Sequence, residues 1–568
     1  MYCGSTTLLV AVCALILAAI QAQNVPEPHQ GKTALDEYVW APDANYGWKE
    51  MEGHQMQGGG YVRKADGWTA YTLNLTSQQW LTPQTFSNTS SAGSIWWHIL
   101  VVIIPDEVKY LQNATLYITG SGMPHQNADG SWSGLPSAKD EDIEVAAAIA
   151  TSSGIITGAL FQIPDEHITF ADDPIQKSRG EDAIIAYTWA HYLNYPEDNE
   201  WLLRFPMVKA SLRAMDAITD FVATKKPELN TQLDYYAVAG ASKRGWTTWD
   251  VGAVDSHRVQ AIVPIVLDAI NFQQVMHHQY QSYNGWSWAL SDYTDMNVMA
   301  HLDDDNMNKL ASMVDPIYYR NRLTMPKLVV NAVLDEFQQP DDTRYWWNAM
   351  PEPKHFIMTP NAEHSEATGI LEIVPAIGSF LRHLVDPELS KKKMPEFTWE
   401  ISEETGEIVA TLNEHGLVKE ARVWHAYSCG NNINSDGSET KRRDFRMINM
   451  DSPCKCGVEA NGMCANLKSF WVPKILEQEM VNGKRTYRAQ VDAPEDGRWV
   501  AYMIEVVYAK NAADALLPDG LPHIIARDLD GRLQFTTEVS VWPNVFPYPG
   551  CGVTNGVDTG IECTTNLV

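Results

Sequence analysis

A short stretch near the middle of the chain carries the residue types of a nucleophilic hydrolytic site. Residues 236–246 are Tyr-Ala-Val-Ala-Gly-Ala-Ser-Lys-Arg-Gly-Trp, an apolar strand followed by a turn of small residues and a helix. Such a turn would lift the hydroxyl of Ser242 above the edge of a sheet. Gly240 leaves room for the turn, and the backbone N–H of Lys243 would face a developing oxyanion. The stretch predicts a nucleophile elbow.

The stretch departs from the common G-x-S-x-G pattern in one respect. The second glycine, Gly245, comes one position late, and Arg244 stands where a small residue is expected. An ordinary strand-to-helix turn with a capping serine would look similar. The partners of Ser242 therefore decide between the two interpretations.

Two later residues follow strands in the chain order that this chemistry requires. The acid should follow a later strand and the histidine the last one. Asp335 comes just after the apolar run 327–333, and His364 comes after the run 355–358. This order predicts that both side chains reach the same sheet edge as Ser242.

The predicted roles follow from the chemistry of the side chains. His364 would accept the Ser242 proton, and Asp335 would orient the imidazole and stabilise its cationic form. Asp341 and Asp342 are alternative acids, and Glu363 competes only if its loop rearranges.

A second oxyanion donor should come from the loop after an early strand. Residues 120–123, Gly-Ser-Gly-Met, fit this position because glycines let backbone N–H groups approach a substrate. We expect Ser121 and Gly122 to complete an oxyanion hole with Lys243. The alternative is a plain glycine turn.

The elements that must position these residues alternate between strand and helix from about residue 115 to 385. Predicted strands are 116–119, 155–163, 235–239, 261–267, 327–333 and 355–358, and predicted helices are 140–153, 181–193, 206–223 and 365–384. Two further strands, 68–75 and 95–104, precede them. This alternation predicts an α/β fold whose mostly parallel sheet has helices on both faces.

Two segments break the alternation. Residues 272–319 are rich in Trp, Tyr, Met and Asp, and we expect this insertion to cap the edge where open α/β sheets bind ligands. Trp286, Trp288, Trp346 and Trp347 are typical core residues, although an insertion acting as a lid would place some of them around its pocket. Beyond residue 395 short strands and turns predict a β-sandwich domain, which divides the mature chain into residues 23–394 and 395–568.

The N-terminus predicts export. Residues 8–20 form an apolar run, small residues surround Ala22, and residues 1–22 have the length of a secretory signal peptide. A membrane anchor is the alternative, since no Lys or Arg precedes the run. No later segment resembles a membrane span, so we expect a secreted, extracellular protein without membrane insertion after leader removal.

Cysteine usage is typical of the same compartment. Two of the eight cysteines lie in the leader, and the other six are Cys429, Cys454, Cys456, Cys464, Cys551 and Cys563. An even number in an exported chain predicts up to three disulfides, with the pairing open. A zinc site at Cys454, Cys456 and Cys464 is the alternative, although this spacing is wrong for a zinc knuckle and no histidine is near. Sequons at Asn74, Asn88 and Asn113 predict glycosylation.

The remaining polar clusters predict neither a metal nor a cofactor. The formal net charge of −29 excludes nucleic acid and anionic membranes as expected partners. The adjacent His277 and His278 would point apart on a helix, and the acidic run 303–305 is typical of solvated surface or a helix cap rather than a calcium site.

Several motifs in order resemble the PhoPQ-activated pathogenicity-related protein family. They are residues 38–43 (YVWAPD), 179–189 (RGEDAIIAYTW), 240–249 (GASKRGWTTW), 261–266 (AIVPIV), 335–337 (DEF), 340–341 (PD) and 360–364 (PNAEH). The resemblance implies an α/β-hydrolase core with Ser242, Asp335 and His364 in the triad positions. The family also includes secreted autocrine proliferation repressors of social amoebae. The turn from Ser242 to Gly245 is similar to that of glucuronoyl esterases as well.

These observations leave two functional hypotheses. One is a secreted serine hydrolase that cleaves an ester or peptide bond in a small-molecule or peptide substrate. The other is a secreted signalling factor that represses proliferation, uses the hydrolase core as a scaffold and binds a cell-surface receptor.

Overall fold

The largest element of the computed structural model is a ten-stranded mixed sheet. The structure describes residues 25–59, 67–413, 416–433, 437–509, 533–554 and 556–568. The first strands in chain order are β1 (Gly47–Glu50), β2 (Met56–Gly59), β3 (Gly67–Gln79), β4 (Ile95–Pro105), β5 (Asn113–Ile118), the separate hairpin of β6 (His125–Gln126) and β7 (Trp132–Ser133), β8 (Ile156–Leu160), β9 (Tyr235–Ala241), β10 (Val259–Ile265), β11 (Lys327–Ala332) and β12 (Lys354–Thr359).

The strand order is β1-β3-β4-β8-β5-β9-β10-β11-β12, and β2 also pairs with β3. Strands β8, β5, β9, β10, β11 and β12 run parallel to one another, whereas the pairings of β1 to β4 and of β4 with β8 are antiparallel. The parallel strands are buried almost throughout, because helices cover both of their faces. This order and covering confirm the predicted α/β-hydrolase fold.

Helices cover both faces of the sheet. They are α1 (Ala34–Trp40), α2 (Glu141–Ser153), α3 (Glu181–Asn194), α4 (Arg204–Lys225), α5 (Lys243–Val254), α6 (Phe272–Tyr283), α7 (Ser291–Asp295), α8 (Asp305–Val314) and α9 (Ile370–Val385). Alternate residues of β4 enter two separate apolar clusters: Leu100 and Val102 join the cluster of α1, α3, α4 and α5, and Ile99 and Val101 join that of α2 and α9. Because successive side chains of a strand point to opposite faces of the sheet, β4 contributes to the apolar core on each face.

The C-terminal region forms further sheets, all antiparallel. Its strands are β13 (Phe397–Ile401), β14 (Ile408–Leu412), β15 (Leu417–Tyr427), β16 (Asn431–Ile433), β17 (Glu439–Lys441), β18 (Ile448–Asn449), β19 (Gly457–Ala460), β20 (Met463–Asn466), β21 (Val472–Ile475), β22 (Glu479–Val481), β23 (Lys484–Ala489), β24 (Val500–Ala509), β25 (Leu533–Thr536), β26 (Ser540–Trp542), β27 (Val553–Thr554) and β28 (Val557–Asp558). The two largest sheets are β13-β14-β23-β22 and β21-β15-β24-β25, the latter with β26 paired to β24.

These two sheets share a buried core with the α/β region. Ala410 of one sheet and Val423 of the other belong to the apolar cluster that includes Phe380 of α9. The hydroxyl of Thr536 in β25 accepts the backbone N–H of Met358 in β12 at 2.9 Å. The C-terminal strands therefore cover the edge of the main sheet beside the helix α9, and the division at residue 395 stays a prediction.

Three disulfides join the six cysteines beyond residue 420. The pairs are Cys429–Cys456, Cys454–Cys464 and Cys551–Cys563. Because all six sulfur atoms are bonded in pairs, thiolates for the alternative zinc site are not available.

Several predicted boundaries differ from the observed ones. The last helix of the core begins at Ile370 rather than at residue 365, because residues 361–369 form turns that hold His364 at the strand end. The predicted leader, residues 1–22, lies outside the described residues. Among the helices of the described ranges, none has both the length and the apolar composition of a membrane span.

Two glycines allow α5 to pack against β9 and β10 at the turn around Ser242. A Cβ at Gly240 would lie 2.8 Å from the carbonyl oxygen of Arg244 in α5. A Cβ at Gly245 would lie 2.7 Å from the carbonyl oxygen of Ile265, which ends β10. The late glycine of the motif is thus the residue that lets the helix approach the neighbouring strand.

We expect Gly245→Ala to lower the free energy of unfolding by about 2 kcal/mol, since the added methyl must displace backbone rather than a mobile side chain. Chemical denaturation followed by fluorescence measures the change. Gly93→Ala is the matched control, because a Cβ at Gly93 meets nothing within 4 Å. Equal stability of the two variants would contradict this packing.

Candidate active site

Ser242 occupies a strained backbone conformation between β9 and α5. Its φ is 57° and its ψ is −126°, a region that residues other than glycine rarely adopt. Its N–H donates to the Ile265 carbonyl at 2.8 Å, and its carbonyl accepts the Trp246 N–H at 3.0 Å. Hydrogen bonds on both sides of the residue hold the turn in place, as the predicted elbow requires.

The three side chains predicted to act together form a continuous chain of hydrogen bonds. The Nε2 atom of His364 lies 2.8 Å from the Oγ of Ser242, and its Nδ1 lies 2.7 Å from Oδ2 of Asp335. In this arrangement Nδ1–H donates to the carboxylate and Nε2 accepts from the hydroxyl. The geometry suits removal of the Ser242 proton by His364.

The Asp335 carboxylate is fixed on its other side by backbone. Its Oδ1 accepts the N–H groups of Phe337 at 2.7 Å and Gln338 at 3.2 Å. The Phe337 ring also lies against His364, with 4.3 Å between ring centroids. These contacts leave Oδ2 for the imidazole and limit the movement of both residues.

The alternative acids Asp341 and Asp342 belong to a different buried group. Asp342 lies 2.6 Å from Nδ1 of His278, and Asp341 accepts two hydrogen bonds from Arg443. Both carboxylates therefore tie the loop after β11 to α6 and to the C-terminal region. Glu363, the remaining alternative, bonds to the hydroxyl of Ser365 at 2.6 Å.

Glu336 is a site residue that the motif pattern does not reveal. It is 6% exposed, and its Oε2 accepts the backbone N–H of His364 at 3.2 Å. Burial, with a contribution from Asp335, raises the pKa of Glu336 to about 7. Its place directly after Asp335 at a strand end is the only signal that the sequence offers.

The protonation of His364 depends on these carboxylates. Burial by itself lowers its pKa, but the charge and hydrogen bond of Asp335 outweigh burial, and Glu336 adds to their effect. The net result is a pKa above the ordinary value of 6.5. A histidine base here becomes fully neutral only on the alkaline side of that value.

The two basic residues after Ser242 form ion pairs with the first turn of α3. Nζ of Lys243 lies 2.7 Å from Glu181 and 2.9 Å from Asp182, and Arg244 also pairs with Glu181. Burial alone would raise the pKa of Asp182, but Lys243 holds it below its usual value. The charges of the elbow therefore fasten it to α3.

The predicted oxyanion loop follows β5, the strand next to β9. Ser121 and Gly122 are exposed and do not belong to the lining of the cavity described next, whereas Gly120 packs against Arg244. A role of Lys243, Ser121 and Gly122 in binding an oxyanion stays a prediction.

A cavity of about 730 Å³, part of it open to solvent, adjoins Ser242 and His364. The 272–319 insertion lines much of it through Phe272, Met276, Leu290, Tyr293, Met299 and Met307. The tryptophans in its wall are Trp189 and Trp246. Trp286, Trp346 and Trp347 lie in the buried apolar core, as the sequence indicates for core residues, and neither they nor Trp288 line this cavity.

Two of the carboxylates considered as metal ligands in the sequence pair with histidines in the structure. His277 lies 2.8 Å from Asp303, and His301 lies 2.7 Å from Asp304, so these histidines and carboxylates pair with each other. A geometric cluster of His277 with the sulfurs of Cys551 and Cys563 involves a disulfide rather than thiolates.

Among the sequons, Asn88 is exposed in a turn, whereas Asn74 and Asn113 are partly buried within strands. Glycosylation stays a prediction, and Asn88 offers the most accessible amide.

We expect Glu336→Gln to lower the pKa of His364, since the variant removes a negative charge that favours the imidazolium. Its titration should also sharpen, because Glu336 no longer ionises in the same range. NMR of ¹³C-labelled histidine, with His364→Gln for assignment, measures both effects. Glu363→Gln is the control and should leave the pKa of His364 unchanged. An equal shift of this pKa in both variants would refute a specific effect of Glu336.

Comparison with known proteins places the chain in a family. The sequence profile described as PhoPQ-activated pathogenicity-related protein matches residues 35–446. A protein of Dictyostelium discoideum described as autocrine proliferation repressor protein A is 34% identical over 540 residues, which cover 93% of this chain and 94% of the relative.

The solved structures that resemble the chain are more distant. Acetyl xylan esterase 1 from a Thermoanaerobacterium species is 14% identical with a TM-score of 0.38, over 64% of this chain and 98% of that one. A glucuronoyl esterase from Solibacter usitatus is 12% identical with a TM-score of 0.35, over 61% of this chain and 87% of that one. The family profile, by contrast, spans the α/β core and both strand ends that carry Asp335 and His364. The chain therefore belongs to the PhoPQ-activated pathogenicity-related protein family.

Proposed function

We propose that the protein is a secreted serine hydrolase that cleaves an ester or peptide bond through an acyl-enzyme. The observation that supports the proposal most directly is the unbroken line of hydrogen bonds from Asp335 through His364 to Ser242. A strained serine at a strand-to-helix turn beside a cavity adds to it, because strain persists where function requires a fixed side chain.

Acylation would begin when the Ser242 oxygen bonds to the substrate carbonyl carbon and its proton passes to Nε2 of His364. The bond to the leaving alcohol or amine then breaks, and the leaving group takes that proton. In deacylation a water molecule gives a proton to His364 while its oxygen bonds to the acyl carbon, and Ser242 regains the proton as the acid departs. Asp335 stays ionised and stabilises the imidazolium, and the N–H of Lys243 would bind the oxyanion.

Export is part of the same proposal. The apolar leader, the three disulfides and the sequons are the features of an oxidising, extracellular compartment. The relative in Dictyostelium is described as autocrine, which agrees with a secreted protein.

A fluorophosphonate probe should label the folded protein at Ser242, and Ser242→Ala should abolish labelling. His364→Ala should slow labelling by about three orders of magnitude, because the hydroxyl loses its base. Mass spectrometry of the labelled peptide identifies the site. Ser365→Ala, which changes an exposed serine next to His364, is the control and should label normally. Folded protein that resists the probe would refute the hydrolase function.

A second candidate function is repression of proliferation by a secreted factor that binds a cell-surface receptor. The 34% identity to a proliferation repressor over 93% of the chain favours it. In this function the α/β core acts as a scaffold, so the surface rather than the hydroxyl of Ser242 would be needed.

For that second function we expect purified Ser242→Ala protein to slow the growth of Dictyostelium discoideum cells as much as the unmodified protein does. Cell counts over several doublings measure the effect, and heat-denatured protein is the control. If the unmodified protein represses growth and Ser242→Ala does not, repression requires hydrolysis and the scaffold interpretation fails.

A further inference from the structure

Arg204 places a buried guanidinium in the wall of the cavity beside Ser242. It is the first residue of α4, it is 4% exposed, and it lines the same cavity as Ser242 and His364. Its guanidinium carbon lies 4.8 Å from the centre of the Trp246 ring. A positive charge at this depth costs free energy unless something in the site compensates it.

The hydrogen bonds of Arg204 account for only part of its donors. The NH1 group donates to the carbonyl of Lys243 at 2.5 Å and to the hydroxyl of Thr247 at 2.8 Å, and it also lies 3.7 Å from the sulfur of Met207. The Nε atom lies 3.9 Å from Asp250, beyond hydrogen-bond distance. Within the described part of the chain, NH2 has no hydrogen-bond partner, although a guanidinium offers five N–H donors in a planar fork. These donors remain for a bound ligand.

The neighbouring acids leave the NH2 group of Arg204 without a hydrogen bond, although Asp250 lies within ion-pair distance of its Nε atom. Asp182 bonds to Lys243 and to the hydroxyl of Tyr293 at 3.0 Å. Asp250 is fully buried, and burial holds the pKa of its carboxyl well above the usual range despite Arg204 nearby. Burial lowers the pKa of Arg204 itself only to about 10, so the guanidinium stays charged at neutral pH.

The rest of the wall is mostly apolar. Leu267, Phe272, Met276 and Met299 are among the side chains that surround the space. Apolar walls favour an aliphatic or aromatic chain, and a buried guanidinium with an unused donor favours an oxygen anion at a defined point. A ligand that meets both requirements has an apolar chain and an oxygen anion at a fixed position.

We infer that the cavity takes an ester whose aliphatic acyl chain ends in a carboxylate, and that Arg204 binds this carboxylate through NH2. The substrate class is thus a monoester of an aliphatic dicarboxylic acid. The inference rests on the proposed hydrolase function only for turnover, since the binding of such a molecule needs no reaction at Ser242.

The test compares two ligands with acyl chains of equal carbon number, monomethyl adipate and methyl hexanoate. Binding to Ser242→Ala protein, which cannot turn them over, is measured by ligand-detected NMR titration. We expect monomethyl adipate to bind about tenfold more tightly or better, the usual effect of a hydrogen bond to a charged group. Equal or tighter binding of methyl hexanoate would overturn the inference.

Variants then assign the preference to Arg204. In the Ser242→Ala background, Arg204→Met should abolish it, and Arg204→Gln, which retains a donor for the Lys243 carbonyl, should abolish it too. Arg213→Met, on the same helix but outside the cavity lining, is the matched control and should keep the preference. A preference that survives both Arg204 substitutions would refute the role of this residue.

Turnover separates this inference from the proposed function. The native protein should hydrolyse the p-nitrophenyl monoester of adipate faster than p-nitrophenyl hexanoate, after subtraction of the rate with Ser242→Ala. If neither ester is cleaved and the fluorophosphonate probe does not react, while the binding preference holds, the hydrolase function fails and the carboxylate site stands.

Discussion

The left-handed backbone of Ser242 is the constraint on which the site depends. Such a conformation costs on the order of 1–3 kcal/mol, so it persists only where the surroundings fix it. Here the Ile265 carbonyl holds the N–H of Ser242, and two glycines let α5 approach β9 and β10 closely enough for that bond. The strain is therefore offset by the packing of a whole helix against the sheet, and the same packing aims the hydroxyl at His364.

The acidic first turn of α3 explains how two large basic side chains can follow the nucleophile. Lys243 and Arg244 would disturb a turn of small residues if their charges had to be buried alone. Glu181 and Asp182 receive them at the N-terminus of α3, where carboxylates are also favoured by the helix dipole. These ion pairs connect the elbow to a second helix. The side chains of Lys243 and Arg244 thus occupy the space between the elbow and α3 as part of an ion-paired network.

The sequence predicts which side chains meet at the sheet edge better than it predicts which side chains line the cavity. Ser242, Asp335 and His364 each follow a strand, and strand ends are visible in local patterns of apolar residues and turns. Glu336 has only its place at a strand end, and Arg204 carries no such signal, because their importance comes from burial created by distant segments. The same holds for Trp189 and Trp246 in the cavity wall, because they belong to core helices whose pattern predicts only packing. The disulfide pairing, too, depends on contacts between strands that no spacing of cysteines determines.

Charge acts on this molecule at two length scales. The formal net charge of −29 repels an anionic ligand at long range, but salt screens that field over about 8 Å under physiological conditions. Inside the cavity the guanidinium of Arg204 acts at hydrogen-bond distance, among mostly apolar side chains where salt screens a charge less. An acidic surface and a cationic recognition point are therefore compatible. The surface slows the arrival of a carboxylate, whereas Arg204 slows its departure, so selectivity for the anion resides in the bound state rather than in the encounter.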